Sequence, residues 1–265
     1  MNKWMIGIIA TFVIFMLAGC GSSDEGDNGA SEGKEPIKVV TEAGFMPFSY
    51  LDKGELVGFD IELIDAVLKE AGIEYTIENV GWESMLAAVQ NKDADLAIAG
   101  ITVDDDRKQT YDFSSSYFES THKVVFREGE AITSGEDIKE LKVGVQAGTT
   151  GSKAAEKIMG ENHPNISKYD SNTLAFMSLQ SGDVDAVVTD NIVADEYVNN
   201  NPDANVEMIT DPETFDSEFY GIMFPKGSEL VEQVNTALQT LMENGTYEEL
   251  YKKWFDADPN MDALQ

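Results

Sequence analysis

Cysteine and histidine are almost missing from this chain: Cys20, His122 and His163 are the only ones in 265 residues. A single cysteine excludes an internal disulfide framework and a cysteine metal cluster. Two histidines far apart in sequence give no basis for a histidine metal site, so no metal or cofactor is expected. Basic residues are also scarce, with 18 Lys and Arg against 49 Asp and Glu and a formal net charge of −31. Nucleic acid binding needs Lys and Arg clustered on phosphates, which excludes that partner. The same balance disfavours lying flat on an anionic membrane surface. It fits a solvated acidic shell that keeps the protein soluble, as in a saline or alkaline habitat. The longest apolar run, residues 4–17, is shorter than the roughly 20 residues that a membrane-crossing helix requires.

What that run does resemble is a secretory signal: Lys3 precedes it, and it closes in Leu17-Ala18-Gly19-Cys20. The lone cysteine stands where bacterial lipoprotein signals place the residue that is lipidated and becomes the new N-terminus. Residues 1–19 are therefore expected to be removed and Cys20 to carry acyl chains. Two or more chains give stable anchoring. Residues 21–35 are Gly, Ser and acid with no aliphatic stripe, a tether between lipid and domain. The expected location is the outer face of the cytoplasmic membrane, with a Gram-positive cell surface favoured, and the membrane is met through the anchor alone.

From Ile37 onward, strand and helix patterns alternate. Ile37-Lys38-Val39-Val40 reads as a strand. Phe59, Ile61, Ile64, Val67, Leu68 and Ala71 recur at helical spacing before Gly72. Strands are expected at residues 75–77, 96–99, 123–126, 141–145, 186–188 and 219–224, and helices at 82–91, through 159, at 174–179 and at 231–242, with 247–255 closing the chain. Alternation of this kind indicates an α/β protein with mostly parallel sheets, and the 42% apolar content supports real cores. Length and strand number favour two such units over one.

Four places have side chains suited to a ligand. Arg107 follows the strand that ends at Ala99. It either takes a carboxylate with two parallel hydrogen bonds or neutralises its neighbours Asp104, Asp105 and Asp106. Gly144-Val145-Gln146-Ala147-Gly148-Thr149-Thr150-Gly151-Ser152 runs from a strand through a glycine turn into a helix. That is an anion site built on free N–H groups, or ordinary helix punctuation. It is not a P-loop, because the Gly-Lys-Ser/Thr ending is absent. Asp190 ends the strand at Ala186-Val187-Val188-Thr189, placed to hold an ammonium group or to cap the next helix. Glu42, Phe45 and Trp82 form an aromatic slot with an acid, or are core packing. Taken together, a carboxylate binder, an anion-binding helix start, an ammonium binder and an aromatic slot match a zwitterionic amino acid.

The motifs Phe45-Met46-Pro47-Phe48, Gly58-Phe59-Asp60, Ala99-Gly100-Ile101-Thr102 with Arg107, Asp112-Phe113-Ser114, Gly148-Thr149-Thr150-Gly151, and Asn244-Gly245-Thr246-Tyr247 with Lys252-Lys253-Trp254-Phe255 occur in that order. With them the chain resembles the family-3 extracellular solute-binding proteins, polar amino acid receptors of ABC importers. The resemblance implies the type II periplasmic-binding-protein fold, two α/β lobes joined by two hinge strands. Lobe 1 would span residues 36–119 and 218–258, lobe 2 residues 120–217, and residues 259–265 a C-terminal tail. It implies that Arg107, Thr102, Thr149 and Thr150 hold the ligand's α-carboxylate, that Asp190 and Gly100 hold its α-ammonium, and that Glu42, Phe45, Trp82, Ala99 and Gln146 line the side-chain pocket. The implied partners are a free L-amino acid and the permease subunits, with the receptor acting as a monomer.

Glu42 stands where basic-amino-acid and glutamine receptors are expected to carry Asp, and Gln146 brings no charge to oppose it. A buried acid favours an opposite charge, so arginine, lysine, ornithine or histidine is the expected ligand. Glutamine is the alternative, and acidic amino acids are disfavoured. The fold also hosts enzymes such as dehydratases and the sensing domains of receptors. No Ser-His-Asp or Cys-His set is present for catalysis, and a chain ending at Gln265 without a spanning segment is expected not to be a sensor.

Overall fold

The computed structural model describes residues 35–264. The lipobox, Cys20 and the start of the tether lie outside the described residues.

Two five-stranded sheets organise the described chain. In the first, the order is Tyr75–Asn79, Ile37–Thr41, Leu96–Ala97, Met223–Pro225, Tyr111–Phe113. The first three strands are parallel and the last two join antiparallel. In the second, the order is Ile166–Tyr169, Val143–Gln146, Ala186–Asp190, His122–Arg127, Val206–Thr210. Its first three strands are again parallel, while His122–Arg127 runs antiparallel to both neighbours. The expected mostly parallel sheets are thus mixed. Strands that follow a helical crossover run parallel, and strands entered straight from the other sheet do not.

The chain passes between the sheets twice. It leaves the first after Tyr111–Phe113 and enters the second at His122–Arg127, by way of strand Phe118–Ser120. It returns after Val206–Thr210 by way of strand Glu218–Tyr220. These two connecting strands pair antiparallel, Glu218 opposite Ser120 and Tyr220 opposite Phe118. The result is two α/β lobes joined by a two-stranded hinge. Buried aromatics support the hinge on the first lobe's side. Phe118 stacks on Tyr220 at 5.5 Å, and Phe48 meets the edge of Phe118 at 4.9 Å. Tyr247 donates a hydrogen bond to the Tyr117 carbonyl at 2.5 Å.

Two expected strands differ from the sequence pattern. Residues 219–224 are not one strand but two, Glu218–Tyr220 and Met223–Pro225. Between them Gly221 donates its N–H to Ile101 O at 3.0 Å, and a Cβ on it would lie 2.7 Å from Val103 Cγ2. The backbone bends there because the hinge and the first sheet need different directions. Residues 96–99 form a ladder only at Leu96–Ala97, and Ala99 leads into a turn at Gly100. A small three-stranded sheet, Gly44–Phe45, Ser49–Asp52 and Glu55–Val57, completes the first lobe. At the chain's end Met261–Leu264 forms a 3-10 turn that buries Leu264.

Candidate functional site

Parallel strands present their carboxyl ends, and the turns beyond them, to ligands in open α/β sheets. Here both sheets point these ends at one another. Thr41 leads into Glu42, and Ala97 leads through Ile98 into Ala99 and Gly100, on one side, while strands ending at Gln146 and Asp190 face them from the other. All eleven pocket residues expected from the sequence line a single cavity between the lobes. Asn172 and Thr189 join them.

Arg107 lies in the short helix Asp105–Thr110, whose N-cap Asp104 accepts the Arg107 backbone N–H at 2.7 Å. Its side chain is buried, and the reading in which it merely neutralises a solvated acidic run does not hold. Nη1 donates to Thr102 O at 2.8 Å and Nη2 to Gly148 O at 3.2 Å. The guanidinium carbon sits 5.3 Å from the Trp82 ring centroid, a cation–π contact. The acids whose charge it feels are Asp104, Glu218 and Asp190; Asp104 pairs instead with Lys153, and Glu218 and Asp190 lie 3.8 and 3.9 Å from His122 Nε2. Burial lowers the Arg107 pKa because water no longer solvates the charge. An anion brought to it would restore that loss.

Thr149 N-caps the helix Thr150–Met159, accepting Ser152 N–H at 3.2 Å, while its hydroxyl donates to Gln146 O at 2.8 Å. The helix start therefore faces the cavity with its dipole and first-turn N–H groups. Thr102 and Thr150 approach each other across the cleft at 3.4 Å between hydroxyl oxygens, and Thr102 donates to Glu218 at 2.9 Å. Gly100 sits at φ +57°, where a Cβ would lie 2.2 Å from Phe45 Cε1. The close approach of the Phe45 ring requires a glycine. Asp60, fully buried, fixes this turn by accepting Gly100 N–H at 2.7 Å and the Tyr117 hydroxyl at 3.1 Å. Gly148, at φ +70°, is equally confined, with Glu83 Oε1 2.5 Å and Trp82 Nε1 3.2 Å from the place of a Cβ. Trp82 Nε1 is buried without a hydrogen-bond partner among the described residues.

Two buried acids line the cavity wall. Asp190 accepts a hydrogen bond from the Tyr220 hydroxyl and lies 3.9 Å from His122 Nε2. Burial raises its pKa, opposed by His122. Glu42 is 5% exposed and is hydrogen-bonded by Gln146 Nε2, at 2.8 Å to one carboxylate oxygen and 3.0 Å to the other. Burial pushes its pKa up to about 7, against the pull of that hydrogen bond. Gln146 thus leaves Glu42 without an opposing charge, as expected, yet supplies it with a donor, which the sequence did not reveal.

Sequence reasoning passed over Asn172, Thr189, Glu218 and His122. Thr189 precedes Asp190 and shares its strand end, a usable signal. Asn172 follows the N-cap Ser171 and reads as helix punctuation. His122 lies outside the family motifs, but its Nε2 is 3.3 Å from Thr150 Oγ1 and 3.8 Å from Glu218.

A two-lobed α/β fold with a polar cavity at the strand ends is the architecture of a ligand receptor that closes around its solute. The chain belongs to the bacterial extracellular solute-binding proteins, family 3, whose model matches residues 37–257. It is 37% identical to a probable histidine-binding protein of Neisseria gonorrhoeae over 261 residues, covering 96% of each chain. It is 32% identical to the arginine-binding extracellular protein ArtP of Bacillus subtilis over 260 residues, covering 97% of this chain and 100% of that protein. Among solved structures, the arginine-, lysine-, histidine-binding protein ArtJ of Geobacillus stearothermophilus is similar with a TM-score of 0.85 and 47% identity, over 87% of this chain and 99% of that one.

Proposed function

We propose that this protein is the extracytoplasmic receptor of an ABC importer for a basic amino acid: arginine, lysine, ornithine or histidine. The observation that carries the reading is Glu42, a buried carboxylate in the cavity wall that no cationic side chain pairs among the described residues, with Phe45 and Trp82 lining the same cavity. A buried charge is costly unless paired, and a cationic ligand side chain supplies the pair. Arg107, Thr102, Thr149 and Thr150 would take the ligand's α-carboxylate. Asp190 and Gly100 would take its α-ammonium. Glu42, Phe45, Trp82, Ala99 and Gln146 would receive its side chain. The relatives named for arginine, lysine and histidine support this ligand class.

The lobes would meet at residues 119–120 and 217–218, with lobe 1 formed by 36–119 and 218–258 and lobe 2 by 120–217. Complete pairing of both ligand charges requires donors from both lobes, which couples binding to closure. Residues 1–20 support delivery by a signal peptide and anchoring through lipid on Cys20, as a monomer that passes its solute to the permease without chemical change. Glutamine is the second reading. Burial lifts the Glu42 pKa to about 7, and in its protonated form the carboxyl suits a neutral amide.

A thermal-shift panel of the full chain in detergent, against the common amino acids and ornithine, tests the assignment. A ligand at 100 times its Kd adds about 2.7 kcal/mol, a shift on the order of 5–10 °C for a domain of this size. Shifts with basic amino acids support the reading. A shift with glutamine alone replaces it with the second. No shift at all, or conversion of the ligand detected by mass spectrometry, overturns the receptor reading.

A further inference from the structure

Glu42 is the end of a chain of four buried polar side chains. Thr189 Oγ1 donates to Asn172 Oδ1 at 3.0 Å, Asn172 Nδ2 donates to Gln146 Oε1 at 2.9 Å, and Gln146 Nε2 donates to both oxygens of Glu42. Each member is 5% exposed or less. Such a chain has a direction. An amide offers a carbonyl at one end and an NH₂ at the other, so whichever end Asn172 satisfies decides which end Gln146 turns to Glu42. An ionised carboxylate only accepts, so it needs the NH₂ end. Gln146 Nε2 has one further acceptor, Asp170 O, at the long distance of 3.4 Å. Apart from Glu42 itself, Asn172 is therefore the main hold on the amide's orientation.

We propose that Asn172, oriented by Thr189, is a specificity-positioning residue that holds Gln146 with its NH₂ toward Glu42 and so keeps that carboxylate ready for a cationic side chain. This rests on the basic-amino-acid reading above. Without Asn172 the Gln146 amide is free to turn its carbonyl toward Glu42. Two acceptors then face each other in a site with little water, and the arrangement is relieved when Glu42 takes a proton from solvent or swings away. Either response removes the partner of a cationic ligand side chain. A neutral amide side chain loses far less, because a protonated carboxyl still offers it both a donor and an acceptor. The signature is a change in selectivity rather than in affinity as such.

The test compares arginine and glutamine binding by calorimetry on the full chain and on Asn172→Leu, Thr189→Val and Thr189→Ser. A net hydrogen bond is worth roughly 0.5–1.5 kcal/mol, so the arginine-to-glutamine affinity ratio is expected to fall about tenfold in Asn172→Leu and about threefold in Thr189→Val. Thr189→Ser restores the hydroxyl and is expected to keep the ratio of the parent chain. If Asn172→Leu does not fold, the valine and serine pair carries the comparison, since it changes only a methyl and a hydroxyl. Equal weakening of both ligands, or the same ratio in valine and serine variants, overturns the relay while leaving the ligand reading intact. A parent chain that binds no basic amino acid overturns both, and is seen before any variant is compared.

Discussion

Lys153 stands between two aspartates of the facing lobe, its Nζ 2.9 Å from Asp104 and 2.9 Å from Asp106. It lies in the first turns of the helix Thr150–Met159, and the two acids bracket the start of the helix that holds Arg107. The ion pairs thus join the two helix starts that flank the proposed carboxylate site. Lys153 is half exposed, so each pair contributes only up to about 1 kcal/mol. Lys153→Ala is expected to weaken ligand binding by less than about tenfold, chiefly through faster release. Added salt should weaken the parent chain more than the variant. Stopped-flow release rates at low and high ionic strength measure both, and a variant with unchanged release rate and unchanged salt response would remove the pairs from closure.

Arg107→Ala is expected to weaken the binding of every amino acid strongly. It removes the guanidinium that holds Thr102 O in its own lobe and Gly148 O across the cleft. Leaving a buried ligand carboxylate unpaired costs about 3–5 kcal/mol, on the order of 10²–10³-fold in affinity. Calorimetry reads the loss, and a fall of less than about tenfold relative to the parent chain would count against the assigned role.

Glu42→Gln separates the ligand classes. It should weaken arginine by several kcal/mol, as loss of a buried partner does, and leave glutamine within about tenfold. Acid should act in the same direction on the unaltered protein. A cationic ligand binds the ionised carboxylate, so arginine affinity is expected to fall as pH drops below about 7, the value to which burial lifts Glu42. Titrations from pH 5 to pH 8 with arginine and with glutamine would show the difference, and parallel curves for the two would refute the ion pair.

Asp60 predicts the pH dependence of stability without ligand. Burial raises its pKa to about 7 from an ordinary 3.8. The folded state then holds a proton that the unfolded chain has released, so this contribution is full below about pH 4 and is lost as pH rises through about 7. Glu42 acts in the same sense. For a wholly buried carboxyl the loss is on the order of 2–4 kcal/mol. Urea unfolding at pH 5 and pH 8 should therefore show a smaller difference in Asp60→Asn than in the parent chain, and an identical difference would be evidence against it.

Gly100→Ala tests the turn that Asp60 holds. The new methyl would meet Phe45 at 2.2 Å and the backbone would keep a positive φ. Overpacking of this kind costs about 1–3 kcal/mol. A lower melting temperature together with weakened binding of all amino acids is expected, because Phe45 and Gly100 line the same cavity. A variant that melts and binds like the parent would show that the turn relaxes freely.

Most elements were legible because their signals are local. The helices at Phe59–Glu70 and Leu230–Glu243 show apolar spacing, and the turn before Thr150 shows its glycine and its Thr149 cap. Short strands were not. Tyr111–Phe113, Ile166–Tyr169 and Val206–Thr210 carry too few alternating residues to stand out, and their place depends on partners far along the chain. The break at Gly221 lies where the chain turns from hinge to sheet close against Val103, which no local pattern records.

The site divides in the same way. The amino-acid sequence by itself determined which chemistries were available: an acidic chain without cysteine or histidine clusters, strand-end turns with one arginine, two acids and paired threonines, and motifs shared with a receptor family. These are composition and short-range pattern, written in neighbouring residues. Tertiary structure decided which of those groups stand together and in what state. It placed Arg107 against Gly148 rather than among its own aspartates, raised Glu42 to about 7 by burial, and set Gln146, Asn172 and Thr189 in line behind it. Desolvation and hydrogen-bond direction arise only where distant segments meet, so they exist in the folded chain and nowhere in its sequence.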